Sequence, residues 1–147
     1  MSAISFNNAD VSFRVNGKRK INKLLTSLFI NEKKKLQVLS IIFCSDDYLL
    51  ELNKTYLNHD YYTDILTFDL SDGPTEINGE LYISIDRTKE NAVTLKGDFT
   101  DEIYRVIIHG ALHLCGYKDK TTAQIKKIRE KEDFYLSLLK DVSRGTF

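Results

Sequence analysis

The sequence predicts an α+β fold: a small mixed β-sheet packed with helices around a central, buried helix. Three observations carry this. Alternating apolar and polar runs of strand length, such as Asp64–Leu70 and Glu80–Ile85, share the chain with longer runs of helical period. The stretch from Ile103 to Cys115 is apolar on nearly every side of a helical wheel, which places it in the interior. A length of 147 residues suits one core, and no repeat or Pro/Gly/Ser linker divides it, so residues 1–147 are expected to form a single domain.

Taken in order, Val11–Val15 alternates and is β-branched, which predicts a strand ahead of a turn at Asn16-Gly17. Ile21, Leu24, Leu25 and Leu28 then recur at helical spacing. Leu36–Phe43 predicts a second strand, and Ser45 or Asp46 can cap a helix running through Leu49, Leu50, Leu52 and Tyr56 to a loop holding His59. Asp64–Leu70 and Glu80–Ile85 predict an antiparallel pair, with turn signals at Ser71–Pro74 and at Asn78-Gly79. Asp86 is the expected cap of a helix reaching about Leu95, Thr100 that of the buried helix, and Thr121 or Thr122 that of a last helix through Leu139.

Composition narrows the function. Twenty-one basic and 21 acidic residues give a net charge of zero, which argues against a non-specific nucleic-acid binder; any polyanion must be held by local patches. No apolar run approaches the roughly 20 residues of a membrane span, and Met1–Phe13 lacks the basic start and apolar run of an export signal, so a cytoplasmic location is expected. Cys44 and Cys115 sit among apolar neighbours and read as free core thiols.

The chemistry concentrates on the buried helix. His109 and His113 are four apart and therefore stacked on one face, where two imidazoles can share an ion. Glu102 and Arg105 fall on the same stripe, and polar groups buried there must be paired, hydrogen-bonded or metal-bound. Gly116, just past the helix, permits a left-handed turn that returns the chain, which makes Asp119 the expected third ligand. Three protein ligands leave one position open, the pattern of a catalytic zinc, so one Zn2+ per monomer is expected. A water on that ion is the expected nucleophile, with no side chain assigned as general base. Gly110 stands where zinc peptidases of the HExxHxxGxxH type place a glutamate, which counts against proteolysis.

The run His109-Gly-Ala-Leu-His-Leu-Cys-Gly-Tyr-Lys-Asp119 resembles the signature HGxLHLxGYDH of the YbeY family of bacterial endoribonucleases. Leu52–Tyr56, Thr63–Phe68 and Gly79–Leu81 are similar to the family's LNxxYR, TDVLSF and GDI elements, so the likeness spans about Leu36 to Leu139. Asp119 replaces the third histidine of the pattern, and zinc accepts carboxylate oxygen as well as imidazole nitrogen. Leu57 replaces the arginine after LNxxY and removes a bidentate phosphate ligand. The resemblance implies a metal-dependent, single-strand endoribonuclease acting in rRNA processing at the 16S 3′ end. Its implied partners are rRNA and the small ribosomal subunit or its assembly factors.

Other residues have weaker assignments. Arg105, Lys118 and Lys120 are candidate RNA contacts, the lysines joined by Lys126, Lys127 and Arg129. Arg105 can instead pair with Glu102 three residues away. Lys18–Lys20 and Lys33–Lys35 read as solvated helix ends, and His59 as a surface histidine. Tyr61 and Tyr62 can stack bases or pack on the sheet, and Asp64 and Glu80 can orient ligands from strand ends. Two other readings remain open: a ribosome-assembly binding protein with a structural ion, and a non-haem iron oxygenase, whose facial triad is also two histidines and a carboxylate.

Overall fold

The computed structural model describes residues 3–142. Among these described residues nine elements run in the order β1 (Ile4–Asn8), α1 (Lys18–Asn31), β2 (Lys35–Cys44), α2 (Asp46–Leu57), β3 (Ile65–Asp69), β4 (Glu76–Ser84), α3 (Ile85–Thr94), α4 (Phe99–Leu114) and α5 (Thr122–Val142). The four strands form one mixed sheet in the order β1-β2-β4-β3. β1, β2 and β4 are parallel, and β3 joins β4 antiparallel with Ile65 opposite Ile83 and Asp69 opposite Gly79. No helix among the described residues is long and apolar enough to cross a membrane.

Parallel strands need crossover connections, and α1 supplies the one between β1 and β2. Its buried stripe, Ile21, Leu24, Leu25, Leu28 and Phe29, follows the spacing in the sequence. α4 is the central helix: Ile103, Val106, Ile107, Ile108, Ala111, Leu112 and Leu114 are all buried, in one cluster with Leu39, Ile41, Leu81 and Ile83 of the sheet. Two glycines set how closely α4 approaches. A Cβ on Gly110 would meet Ile65 Cδ1 at 2.7 Å and Leu81 Cδ2 at 2.8 Å, and one on Gly79 would meet Leu114 Cδ2 at 2.9 Å. The other sheet face carries a smaller cluster of Cys44, Leu49 and Leu66, flanked by Leu52, Phe68 and Tyr82.

Four local expectations are corrected. Val11–Val15 is not a strand; the strand lies earlier, at Ile4–Asn8. The alternation arises because Val15 is buried and Phe13 packs edge-on against Phe43 and Phe99, while no neighbouring strand pairs with this part of the crossover. Asn78-Gly79 lies inside β4, where the glycine serves close approach and not reversal. Ser84 and not Asp86 caps α3, its hydroxyl accepting from Arg87 N at 3.0 Å. Asp98 and not Thr100 caps α4, accepting from Asp101 N at 3.1 Å. By contrast Ser45 caps α2, and Thr121 Oγ1 accepts from Gln124 N at the start of α5. The two cysteines are free, and burial, foremost among the causes, pushes both thiols up to about 12.

Candidate metal centre

α4 carries His109 and His113 one turn apart near its C-terminal end, each with a side chain 24% exposed. The helix then ends in a Schellman turn. Gly116, at φ 106°, lets its own N–H reach His113 O and the N–H of Tyr117 reach Leu112 O. That turn does two things for the histidines. It brings Tyr117 O to 2.9 Å from His113 Nδ1, and it returns the chain so that Asp119 Oδ2 lies 3.4 Å from both Nε2 atoms.

The proton positions follow from the partners. A carbonyl only accepts, so His113 Nδ1 carries the hydrogen; the Glu132 carboxylate, 2.6 Å from His109 Nδ1, assigns the other ring in the same way. Each Nε2 then holds a lone pair, and the two face each other at 2.9 Å beside a carboxylate oxygen. Three acceptors cannot satisfy one another; a cation or an added proton can satisfy them. Tetrahedral zinc with bonds of about 2.0–2.1 Å separates its ligand atoms by roughly 3.3 Å. Observed separations of 2.9, 3.4 and 3.4 Å are close to that value. His109, His113 and Asp119 thus form a possible metal site, and the donor set fits a borderline-soft divalent ion.

Glu132 was not singled out by sequence reasoning. It comes from α5, 23 residues beyond His109, and is 5% exposed. Only the weak signal of an acid on the buried side of the last helix, in register with Ile128, Tyr135 and Leu139, marks it. Its Oε1 accepts from Arg105 Nη1 at 3.2 Å, and Arg105 Nη2 reaches Asp133 at 3.2 Å. The expected Glu102–Arg105 pair is therefore replaced: the guanidinium is engaged across to α5. Burial lowers the His109 pKa, but the hydrogen bond and charge of Glu132, with Asp119 and Asp64, more than offset it and raise it above the ordinary value. Burial raises the carboxyl pKa of both Asp64 and Glu102. Asp64 accepts from Asn91 Nδ2 at 3.1 Å, and its charge acts on His109.

Beside the cluster lies a cleft of about 570 Å3 lined by Glu102, Arg105, His109, Asp119, Arg129 and Glu132, among others. Lys118 and Lys120 flank Asp119 and are exposed, as are Lys126 and Lys127. Glu80 lies mid-strand beside Tyr82, whose ring packs with Leu49 and Leu66 on the sheet face away from α4, so it is not a strand-end acid of the site. His59 is exposed and stacked on Tyr61 at 5.1 Å, outside the histidine cluster. Tyr62 donates to Asp47 at 3.2 Å and lies under Arg87.

The family model described as "Endoribonuclease YbeY" matches residues 3–140. The chain belongs to the YbeY family. A YbeY relative from Cytophaga hutchinsonii, named an endoribonuclease, is 46% identical over 137 residues, 93% of this chain and 96% of that one. A YbeY relative from Flavobacterium psychrophilum, with the same name, is 46% identical over 135 residues, 92% of this chain and 95% of that one. A solution structure of a Thermotoga maritima protein, 28% identical, superposes with a TM-score of 0.63 over 97% of this chain and 92% of that one.

Proposed function

We propose that this chain is a metal-dependent endoribonuclease, a single YbeY-like domain over residues 1–147 that cleaves single-stranded regions of rRNA precursors at their 16S 3′ end in the cytoplasm. Its partners on this reading are rRNA and the small ribosomal subunit or its assembly factors. The observation that carries it is the convergence of two imidazole lone pairs and one carboxylate oxygen, with both Nδ1 atoms already committed elsewhere. His109, His113 and Asp119 are the ligands on this reading, and one Zn2+ per monomer is the ion.

Held by His109, His113 and Asp119, a zinc ion would supply Lewis acidity and a water acidified towards neutrality for phosphodiester hydrolysis. The chain's own residues do the positioning. Glu132 and Tyr117 O fix the orientation and tautomer of the two rings. Gly110 excludes a peptidase-type base, because its side of α4 faces the sheet and leaves no room for a side chain. Arg105 holds Glu132 in place, and its engagement by two carboxylates limits what it can offer to phosphate.

The test pairs metal analysis with cleavage of a single-stranded RNA. About one zinc per chain is expected. Cleavage should stop on chelation, return with zinc and be absent in His113→Ala, while the fold survives chelation because the core beneath α4 contains no part of the ion site. Cleavage undiminished by metal removal refutes the proposal, and unfolding on chelation favours the structural-ion reading instead.

A further inference from the structure

The zero net charge conceals a strong segregation. Residues 11–44 carry eight cations and one anion, residues 45–102 carry four cations and fourteen anions, and residues 117–131 carry six cations and two anions. The histidine cleft itself is acidic on balance: Glu102, Asp119, Glu132 and Asp133 line it against Arg129 and Arg105, the latter engaged by two of them. A nucleic-acid polyanion reaching that cleft needs its phosphates held elsewhere.

The two cationic segments meet beside the ligand loop. Glu32, at the end of α1, accepts from Tyr117 Oη at 2.8 Å and from Tyr135 Oη, and Lys131 Nζ lies 3.6 Å away. Tyr117 is the residue whose carbonyl holds His113, and Lys118 follows it. Lys127 precedes Lys131 by one turn of α5 and so shares its face. Lys33 and Lys34 follow Glu32 directly; Lys34 donates to Pro74 O, which leaves its other ammonium hydrogens available. Glu32, 11% exposed and consumed by two hydroxyls and Lys131, is the one carboxylate in this group of residues.

Lys33 is the member of this group whose removal the backbone tolerates. It occupies φ 61°, the left-handed position after α1 that glycine fills without strain, with its N–H on Ile30 O and that of Lys34 on Phe29 O. A cation stands where the backbone favours glycine.

We propose that Lys33, Lys34, Lys127, Lys131 and Lys118 form a track that binds the phosphodiester backbone of a single RNA strand and leads it to the histidine cluster. This rests on the endoribonuclease reading and adds the path of the substrate. The track acts through charge and is indifferent to base sequence.

The substitution that tests it relieves strain while removing charge. Lys33→Gly should keep or raise the thermal midpoint, so lost binding cannot be ascribed to misfolding. For single strands each neutralised phosphate contributes a salt slope of about 0.7, equivalent to about fourfold in affinity at 0.15 M salt. Titration of a labelled single-stranded RNA of about 12–16 nucleotides should therefore show Kd about fourfold higher for Lys33→Gly and about fifteenfold higher for Lys33→Gly/Lys127→Ala. Zinc content and kcat at saturating RNA should be unchanged. The matched control is Lys96→Gly: Lys96 sits at φ 55° after α3, in the acidic segment, and its loss should leave Kd in place. Unchanged Kd in Lys33→Gly, or an equal rise in Lys96→Gly, overturns the track while leaving cleavage at the cluster standing. A wild-type chain that neither binds nor cleaves the RNA overturns both.

Discussion

Glu132→Gln is the most informative single perturbation of the candidate metal centre. The wild-type carboxylate serves two donors at once, His109 Nδ1–H through Oε2 at 2.6 Å and Arg105 Nη1–H through Oε1 at 3.2 Å. A glutamine has one oxygen and one NH2 group, so it can serve only one of them. If its oxygen turns to His109, the NH2 meets the guanidinium, donor against donor. If it turns to Arg105, the NH2 faces Nδ1 and selects the tautomer with hydrogen on Nε2, which occupies the lone pair that ligates. Either way orientation is degraded without any change of volume. Loss of such a partner to a ligating histidine weakens metal binding about 10–100-fold, or about 1.4–2.7 kcal/mol. The cost to the metal-free fold is smaller, about 1 kcal/mol, since Arg105 keeps Asp133 and is 35% exposed. Competition titration of zinc against a chromophoric chelator, with urea unfolding of the chelated protein, reads both quantities. Zinc affinity within twofold of wild type would refute the role assigned to Glu132.

The remaining predictions concern the third ligand, the helix approach and pH. Asp119→Ala should lose most zinc affinity and Asp119→His should keep most of it, since both native and replacement side chains bind zinc; equal affinity of Asp119→Ala and wild type by the same titration removes Asp119 from the site. Gly110→Ala should destabilise by about 1–3 kcal/mol in urea unfolding, because its Cβ would meet Ile65 and Leu81 at 2.7 and 2.8 Å; a neutral effect would mean that the two side chains repack freely. The His109 pKa is raised in the fold, so its stabilisation is complete below about pH 6.5 and is lost as pH rises through the folded value. The chelated protein should thus melt lower at pH 8 than at pH 6. Zinc reverses the trend, because ligands must be deprotonated to bind it. Thermal melts at both pH values, with chelator and with zinc, check the crossing, and parallel trends would refute it.

The helices and the β3–β4 pair were readable because their signals are local. Apolar spacing marked the stripe of α1 and the burial of α4, and alternation marked the pair. Misreadings fell where a long-range neighbour decides the outcome. Whether Val11–Val15 or Ile4–Asn8 becomes a strand depends on which of them lies beside β2, and Leu39 to Phe43 take Ile4 to Asn8. Asn78-Gly79 is a turn signal by its dipeptide alone, yet Phe68 O and Leu114 crowd the glycine from another strand and another helix. Caps were misplaced by two residues at α3 and α4, because serine, threonine and aspartate compete over the first few positions of each.

The same division runs through the site. His109, His113 and Asp119 lie within eleven residues, and helical spacing followed by a glycine suffices to bring them together. What fixes the two proton positions divides the same way: His113 takes its own from Tyr117 O, four residues on in the same turn, whereas His109 takes its own from Glu132 on α5. No period or motif links position 132 to position 109. The candidate triad and the His113 tautomer are thus local properties of the chain, whereas the His109 tautomer belongs to the packed fold. Ligands transplanted onto another helix with the intervening glycine, but without a buried carboxylate opposite the first imidazole, would keep the spacing and leave one ring free to turn its hydrogen towards the ion.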